Sequence, residues 1–246
     1  MQPLDRDTLR RLRQARQQIG VGVALEQAQM DALLAEWTPL AQPDEKDMSE
    51  FFGVALPDGS LTGVSGPRWI FHLFGLLHRA AHVGLTSPGG LVLLQRRAAT
   101  KMDWPNAWDM AAAGHVPLYP NGREMRFEEG AKKEIEEELG LASLELGELL
   151  QEGQLCPIGA PYYSFDMDET RNPPFYNAEV RQVFGATLNE AGMSRLRPDY
   201  EELSGLYFCT VENAWGILTQ QCAATGLLYS LPRYLDWLVK KDFRIL

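Results

Sequence analysis

The chain is poor in residues that staple a fold or span a membrane. Its 3 cysteines, Cys156, Cys209 and Cys222, have no CxxC spacing. That excludes a disulfide framework and a zinc ribbon, and reads as reduced thiols of a cytoplasmic protein. No apolar run approaches the ~20 residues that cross a bilayer as a helix, so no membrane association is expected. Positive charge is scarce as well: 23 Lys and Arg stand against 33 Asp and Glu, a net charge of −10. A general nucleic-acid surface needs the opposite balance, so nucleic acid is not an expected partner. The opening stretch MQPLDRDTLRRLRQARQQIG has no apolar h-region and is not expected to be a signal peptide, and Asp5 and Asp7 count against a transit peptide. No internal repeat and no low-complexity segment breaks the chain.

What is present is an ordinary apolar fraction, 45%, in a chain of 246 residues, enough to bury one sizeable core. Residues 4–37 carry a helical stripe that includes Leu9, Leu12 and Ile19, with Gly20 as a stop, then Met30, Leu33 and Trp37. TPLAQPDEKD, with two prolines and a charge cluster, marks the expected boundary. Residues 1–48 therefore read as an N-terminal helical extension, with packing or a homodimer contact as its expected role. Residues 49–246 read as the catalytic domain. Within it, FFGVALPDGSLTG is a predicted hairpin, and HRAAHVGL, SPGG and LVLLQRR form a second. WDMAAAGHV, LELGELLQEGQL, APYYSFDMD, AEVRQVFGATL and LSGLYFCTV read mainly as strands, and residues 212–241 as helix. Strands, a helix, more strands and a terminal helix make an α/β (α+β) fold, a sandwich of helices on a mixed sheet.

The most charged stretch is GAKKEIEEELGL, residues 130–141. Helical periodicity places Glu134, Glu137 and Glu138 on one face at i, i+3 and i+4, with Ile135 and Leu139 as apolar anchors and Gly140 as the stop. Glu136 points elsewhere and is expected to be solvated. Three carboxylates on one face form a hard-oxygen site suited to Mg²⁺ or Mn²⁺. The alternative is an acidic surface helix.

The wider context resembles a known family. Glu134, Ile135, Glu137, Glu138, Gly140 and Leu141 fit the core of the Nudix box, and Gly114 resembles its opening glycine. Lys133 stands where the box has arginine. Gly114 lies further upstream of Lys133 than the pattern allows, so Met125 occupies the strict place of the first glutamate, with Glu124 and Glu128 as substitutes. The resemblance implies a metal-dependent hydrolase that cleaves a diphosphate linkage in a nucleotide-like or other small organic diphosphate. Glu134, Glu137 and Glu138 would hold the ion, joined by the carbonyl of Ala113. Glu179 is the alternative base. Arg97, Lys101 and Gly114 would face the substrate.

A narrower resemblance runs from about residue 50 to 210, to the isopentenyl-diphosphate isomerase branch of the same superfamily. It rests on Arg96-Arg97-Ala98, Lys101, Trp104-Pro105, Trp108, Gly114-His115, HRAAHV and AEVRQVF. That branch uses a catalytic cysteine before the Gly-His pair, and Ala113 stands there. Its paired glutamates appear as Asn177 and Glu179. Its histidine metal site is matched at His78 and His115, with His72 near a third ligand, but backbone pairing is the expected role of these imidazoles. An isomerase-like enzyme lacking the cysteine and a non-catalytic ligand-binding module are the competing readings. Tyr162, Tyr163, Phe165, Phe175 and Tyr176 flank the loop DMDETRNPP, with packing as their expected role and stacking on a ligand ring as the alternative.

Overall fold

The computed structural model describes residues 1–19 and 25–242; Gly20, the expected stop of the first helix, lies outside them. Two compact units share the chain. Unit 1 comprises Met1–Ala80, His115–Arg126 and Pro161–Arg181, and unit 2 comprises Ala81–Gly114, Phe127–Ala160 and Gln182–Leu246.

Unit 1 opens with helices α1 (Arg6–Ile19), α2 (Gln27–Ala41) and α3 (Glu45–Ser49). Their apolar stripes bury Leu12, Met30 and Trp37 completely, and Trp37 meets Phe74 edge-on at 5.4 Å. The stretch expected as a boundary is largely helical. Pro39 sits in the last turn of α2, where it removes one backbone hydrogen bond, and Gln42 ends the helix in the left-handed region. Asp44 then caps α3 by accepting the Asp47 amide. The predicted first hairpin is β1 (Phe51–Ala55) with β2 (Leu61–Pro67), antiparallel, and its PDG turn places Gly59 at φ 85°. Helix α4 (Arg68–Phe74) follows and ends on Gly75 at φ 69°.

The remaining elements are β3 (His78–Thr86), β4 (Val92–Arg97), β5 (Trp108–Asp109), β6 (Ala112–His115), α5 (Phe127–Leu139), α6 (Leu146–Leu149), β7 (Cys156–Asp168), β8 (Phe175–Thr187), α7 (Glu190–Arg195), β9 (Leu203–Cys209), α8 (Val211–Gln220) and α9 (Thr225–Asp242). The larger sheet has the order β5-β4-β3-β8-β7, with β6 on β3 and β9 on β4. The SPGG hairpin forms as predicted, with Leu85 opposite Leu93 and Thr86 opposite Val92.

In unit 2, strand β4 shows how alternation assigns faces. Gln95 and Arg97 point one way, where Gln95 meets α5 by donating to Glu138. Leu94 and Arg96 point the other way, opposite Tyr207 and Trp108 and toward α8. Helices thus cover both faces of this strand, as the sandwich reading requires. Among the described residues, no helix is long and apolar enough to cross a membrane.

Three segments depart from the sequence reading. LELGELLQEGQL is not a strand at its start: Leu146 and Leu149 share a helical i, i+3 face, and both are buried in the short α6. WDMAAAGHV splits into β5 and β6, and the Asp109 side chain accepts the Met110 amide at the break. Residues 212–241 form two helices, because the backbone between them leaves helix to bond Trp108: its amide donates to Cys222, and its carbonyl accepts from Ala224.

Candidate functional site

Helix α5 carries the glutamates as predicted. Ile135 and Leu139 are fully buried and fix its inner face. Gly140 stops it at φ 69°, where an added Cβ would lie 2.6 Å from the Arg197 carbonyl oxygen. Glu136 is exposed and accepts from the Ser143 hydroxyl at 2.6 Å.

Glu138 is buried and held at one oxygen. Its Oε2 accepts from Gln95 Nε2 at 2.9 Å and from the Ala113 amide at 3.0 Å. Burial, with the neighbouring Glu134 carboxylate adding to it, pushes its pKa well above the usual glutamate value. Glu134 is buried beside Gly114, where a Cβ would fall 2.3 Å from the Glu134 carboxyl carbon. A side chain at residue 114 would displace the carboxylate from where it lies, a physical reason for the motif's opening glycine. Glu137 is more exposed. Lys133 Nζ spans the two, 2.6 Å from Glu137 and 3.2 Å from Glu134. The structure therefore brings together Glu134, Glu137, Glu138, Ala113 and Gly114.

Of the residues named for substrate, Arg97 is buried and occupied. It bonds the Asp103 carbonyl and pairs with Asp103 at 3.0 Å and Asp109 at 3.4 Å. Lys101 pairs with Glu202 and is partly exposed. Of the substitutes for the first glutamate, Glu124 lies 3.8 Å from Arg79, and Glu128 pairs with Lys132 at 2.7 Å. Met125, at the strict position, is buried, and its carbonyl accepts from Arg79.

Glu179 belongs to unit 1. It accepts from Arg181, from Asn177 at 2.9 Å and from His115 at 3.2 Å. Burial alone would raise its pKa, but Arg181 and His115 hold it well below the usual range. Around it stand the histidines, and here the expectation of backbone pairing is corrected. One ring nitrogen from each of His72, His78 and His115 lies within 4.8 Å of the others. His78 alone makes the expected bond, donating from Nδ1 to the Leu76 carbonyl at 2.9 Å. That donation leaves its Nε2 as a bare lone pair. The Nε2 atoms of His72 and His78 are buried without a hydrogen-bond partner. Burial and the neighbouring His115 lower the pKa of His72 well below normal and that of His78 to about 3, so both rings are neutral. Converging imidazoles, two of them with orphaned Nε2 atoms, fit a divalent transition-metal ion.

The shell of this cluster is aromatic. Phe52 stacks on His78 at 4.7 Å and Phe175 lies 4.6 Å from His72. Tyr176 is buried and donates its hydroxyl to Glu169 at 2.9 Å. These two of the loop aromatics pack as expected.

Sequence reasoning missed Gln95, Phe52 and the bridging role of Lys133. Gln95 left a signal, a lone carboxamide inside the apolar run LVLLQ. Phe52 left none, because its partner is remote in sequence.

A family model described as the NUDIX domain matches residues 76–218. The chain is 39% identical over 93 residues to Nudix hydrolase 3 of Arabidopsis thaliana, a match covering 37% of this chain and 11% of that protein. It is 33% identical over 121 residues to an uncharacterized Nudix hydrolase of Pseudomonas aeruginosa, covering 49% of this chain and 58% of that one. In each case the chain spans less than two thirds of its relative. The fold resembles the crystal structure of DR0079 from Deinococcus radiodurans, with a TM-score of 0.50 and 15% identity over 78% of this chain and 98% of that one. With more than half of its length matched by the domain model, and the glutamate helix and its glycine inside the match, the chain belongs to the Nudix family.

Proposed function

We propose that the chain is a metal-dependent hydrolase that cleaves a diphosphate linkage in a nucleotide-like or other small organic diphosphate. The observation that carries this reading is Glu138, a buried carboxylate fixed by Gln95 and the Ala113 amide, beside Glu134 lodged against Gly114. A buried carboxylate pair is costly unless a cation or proton offsets it, and oxygen donors suit Mg²⁺ or Mn²⁺. Nudix hydrolases generally use divalent ions, and Glu134, Glu137 and Glu138 would hold one here. Such an ion neutralises phosphate oxygens and makes water easier to deprotonate.

The chain's own groups do the rest. Gln95 and Ala113 orient Glu138 through Oε2, which leaves Oε1 to take a proton. Lys133 balances Glu134 and Glu137 and keeps them apart from each other's charge. Lys101, partly exposed and paired with Glu202, is the cation proposed for substrate phosphates; Arg97 is committed to Asp103 and Asp109. Glu179 remains the alternative base.

The histidine cluster favours one second reading, isomerase-like proton transfer on a diphosphate, with Ala113 in place of the thiol counting against it. The deciding assay separates the products formed with Mg²⁺ or Mn²⁺ from nucleoside di- and triphosphates, sugar nucleotides, thiamine diphosphate and isopentenyl diphosphate, and measures release of phosphate, pyrophosphate or a monophosphate fragment. Metal-dependent release that disappears in the Glu137→Gln, Glu138→Gln chain supports the hydrolase. Isomerised isopentenyl diphosphate without release supports the second reading. Neither product, with metal still bound, rejects both.

A further inference from the structure

Unit 2 has a second concave feature, on the face of β4 away from the glutamates. It is an open pocket of about 360 Å³ lined by Trp108, Tyr207, Asn213, Gly216, Ile217 and two glutamines, Gln220 and Gln221. That volume lies within the range of small-molecule sites. Its composition is unusual for a surface dent: two aromatic rings, three carboxamides and no charged side chain.

The aromatic wall is rigid. Trp108 is pinned by β4 on one side and by its bonds to Cys222 and Ala224 on the other. Its ring is oriented by Nε1 donating to Gln221 at 2.8 Å. The Tyr207 ring stands 5.7 Å away at 53°, a tilted contact that joins the two rings into one aromatic wall, and Tyr207 is 42% exposed. The opposite wall is one helical stripe. Asn213, Gly216, Ile217 and Gln220 follow the i, i+3, i+4, i+7 rule along α8, and Thr210 fixes that helix by accepting the Asn213 amide.

Gly216 is the second, independent sign. Glycine in a helix interior costs stability relative to alanine, and it is normally explained by a close neighbour. Here an added Cβ would meet nothing within 4 Å. Packing does not require the glycine, but a side chain there would take up pocket space.

We infer that this pocket binds a nucleobase, adenine above all, of a nucleoside or nucleotide distinct from the molecule at the glutamate helix. The aromatic wall of Trp108 and the exposed Tyr207 takes one face of the base by stacking. Asn and Gln carboxamides pair a donor and an acceptor with the adenine edge, which a neutral, uncharged lining favours over phosphate. Arg96 lies over the Trp108 ring at 5.9 Å and is exposed at the rim, where a phosphate carried by the nucleoside finds a cation.

The test titrates the full chain, free of added metal, with adenosine 5′-monophosphate. Heat and the indole N–H resonance of Trp108 are followed, the resonance being assigned by its loss in Trp108→Phe. The expected result is saturable binding that shifts this resonance. Tyr207→Ala, a surface change, weakens it about ten-fold. Gly216→Leu fills the pocket and abolishes it while the melting temperature holds or rises. The Glu137→Gln, Glu138→Gln chain binds as the parent does. Three results overturn the proposal: no saturable binding, binding indifferent to Tyr207→Ala and Gly216→Leu, or binding lost only with the glutamates, which would place the nucleotide at α5. Because Tyr207 is on the surface, its variant decides even if Gly216→Leu fails to fold.

Discussion

Unit 1 and unit 2 each assemble a cluster of side chains of the kinds that can ligate metals, by opposite routes. In unit 2 the carboxylates come from one helix, and their convergence follows from 3.6 residues per turn. In unit 1 the cluster draws His72, His78, His115 and Glu179 from four separate elements, and tertiary packing alone brings them together. The donors differ as well. Carboxylate oxygens on α5 suit a hard ion that keeps water and takes phosphate, whereas imidazole nitrogens behind Phe52 and Phe175 suit a borderline one. The helix presents an open, charged surface at Glu137; the histidine cluster is enclosed, with His72 and His78 almost wholly buried.

The sharpest way to break this contrast is to remove the buried carboxylate. Glu138→Gln is expected to lower metal-dependent turnover by about 10²–10⁴-fold, measured as phosphate release, with the fold intact by circular dichroism. Turnover at the parental level would show that the helix is a solvated acidic face.

Next in size is the imidazole cluster. Saturating Zn²⁺ at about 100 times its dissociation constant should stabilise the chain by about 2.7 kcal/mol, seen as a rise in melting temperature. His72→Ala with His78→Ala should abolish that rise, and Glu137→Gln with Glu138→Gln should leave it. If the glutamate pair removes it instead, the two clusters are not separate in preference.

Gly114→Ala asks how closely the helix site is fitted. A methyl group directed at the Glu134 carboxyl should cost about 1–3 kcal/mol of stability, read by urea denaturation, and should lower turnover as Glu134 is displaced. Unchanged stability would mean that Glu134 moves aside freely.

The smallest effect lies away from both clusters. Glu152 accepts from the Thr187 amide and hydroxyl and pairs with Lys241. Burial opposes its charge, but Lys241 and Thr187 win and hold its pKa below the ordinary 4.5. Its contribution is therefore full above that value and is lost as pH falls through the lowered one. Glu152→Gln should cost under about 1 kcal/mol at neutral pH and nothing at strongly acidic pH. An equal cost at both would assign the effect to packing.

The legible parts of the molecule share the locality of α5. Ile135, Leu139 and Gly140 announced a helix and its end, and PDG and SPGG announced two hairpins, because neighbours in sequence decide each. The short α6 was hidden because LELGEL alternates like a strand over the same residues that place Leu146 and Leu149 one turn apart. The break before α9 was hidden because its cause, the backbone of Trp108, is more than a hundred residues away. The imidazole cluster was half visible: the residues could be named, but their burial and orphaned nitrogens arise only in the folded chain. Lys133 read as a weak arginine, whereas its single ammonium reaches two carboxylates at once.

The segmentation of unit 1 also sets an order of assembly during synthesis. Its apolar cluster runs from Leu4 to Leu76, so the first segment, Met1–Ala80, carries its own nucleus. His72 and His78 are therefore in place while the ribosome is still making the segments that hold His115 and Glu179. The last of these, ending at Arg181, follows about 100 residues later, a delay of about 5–20 s at ordinary translation rates. For that interval the nascent chain carries His72 and His78 before their neighbours His115 and Glu179 exist. The set of three imidazoles beside one carboxylate is therefore complete only after the segment that carries Glu179 and Arg181 has been made.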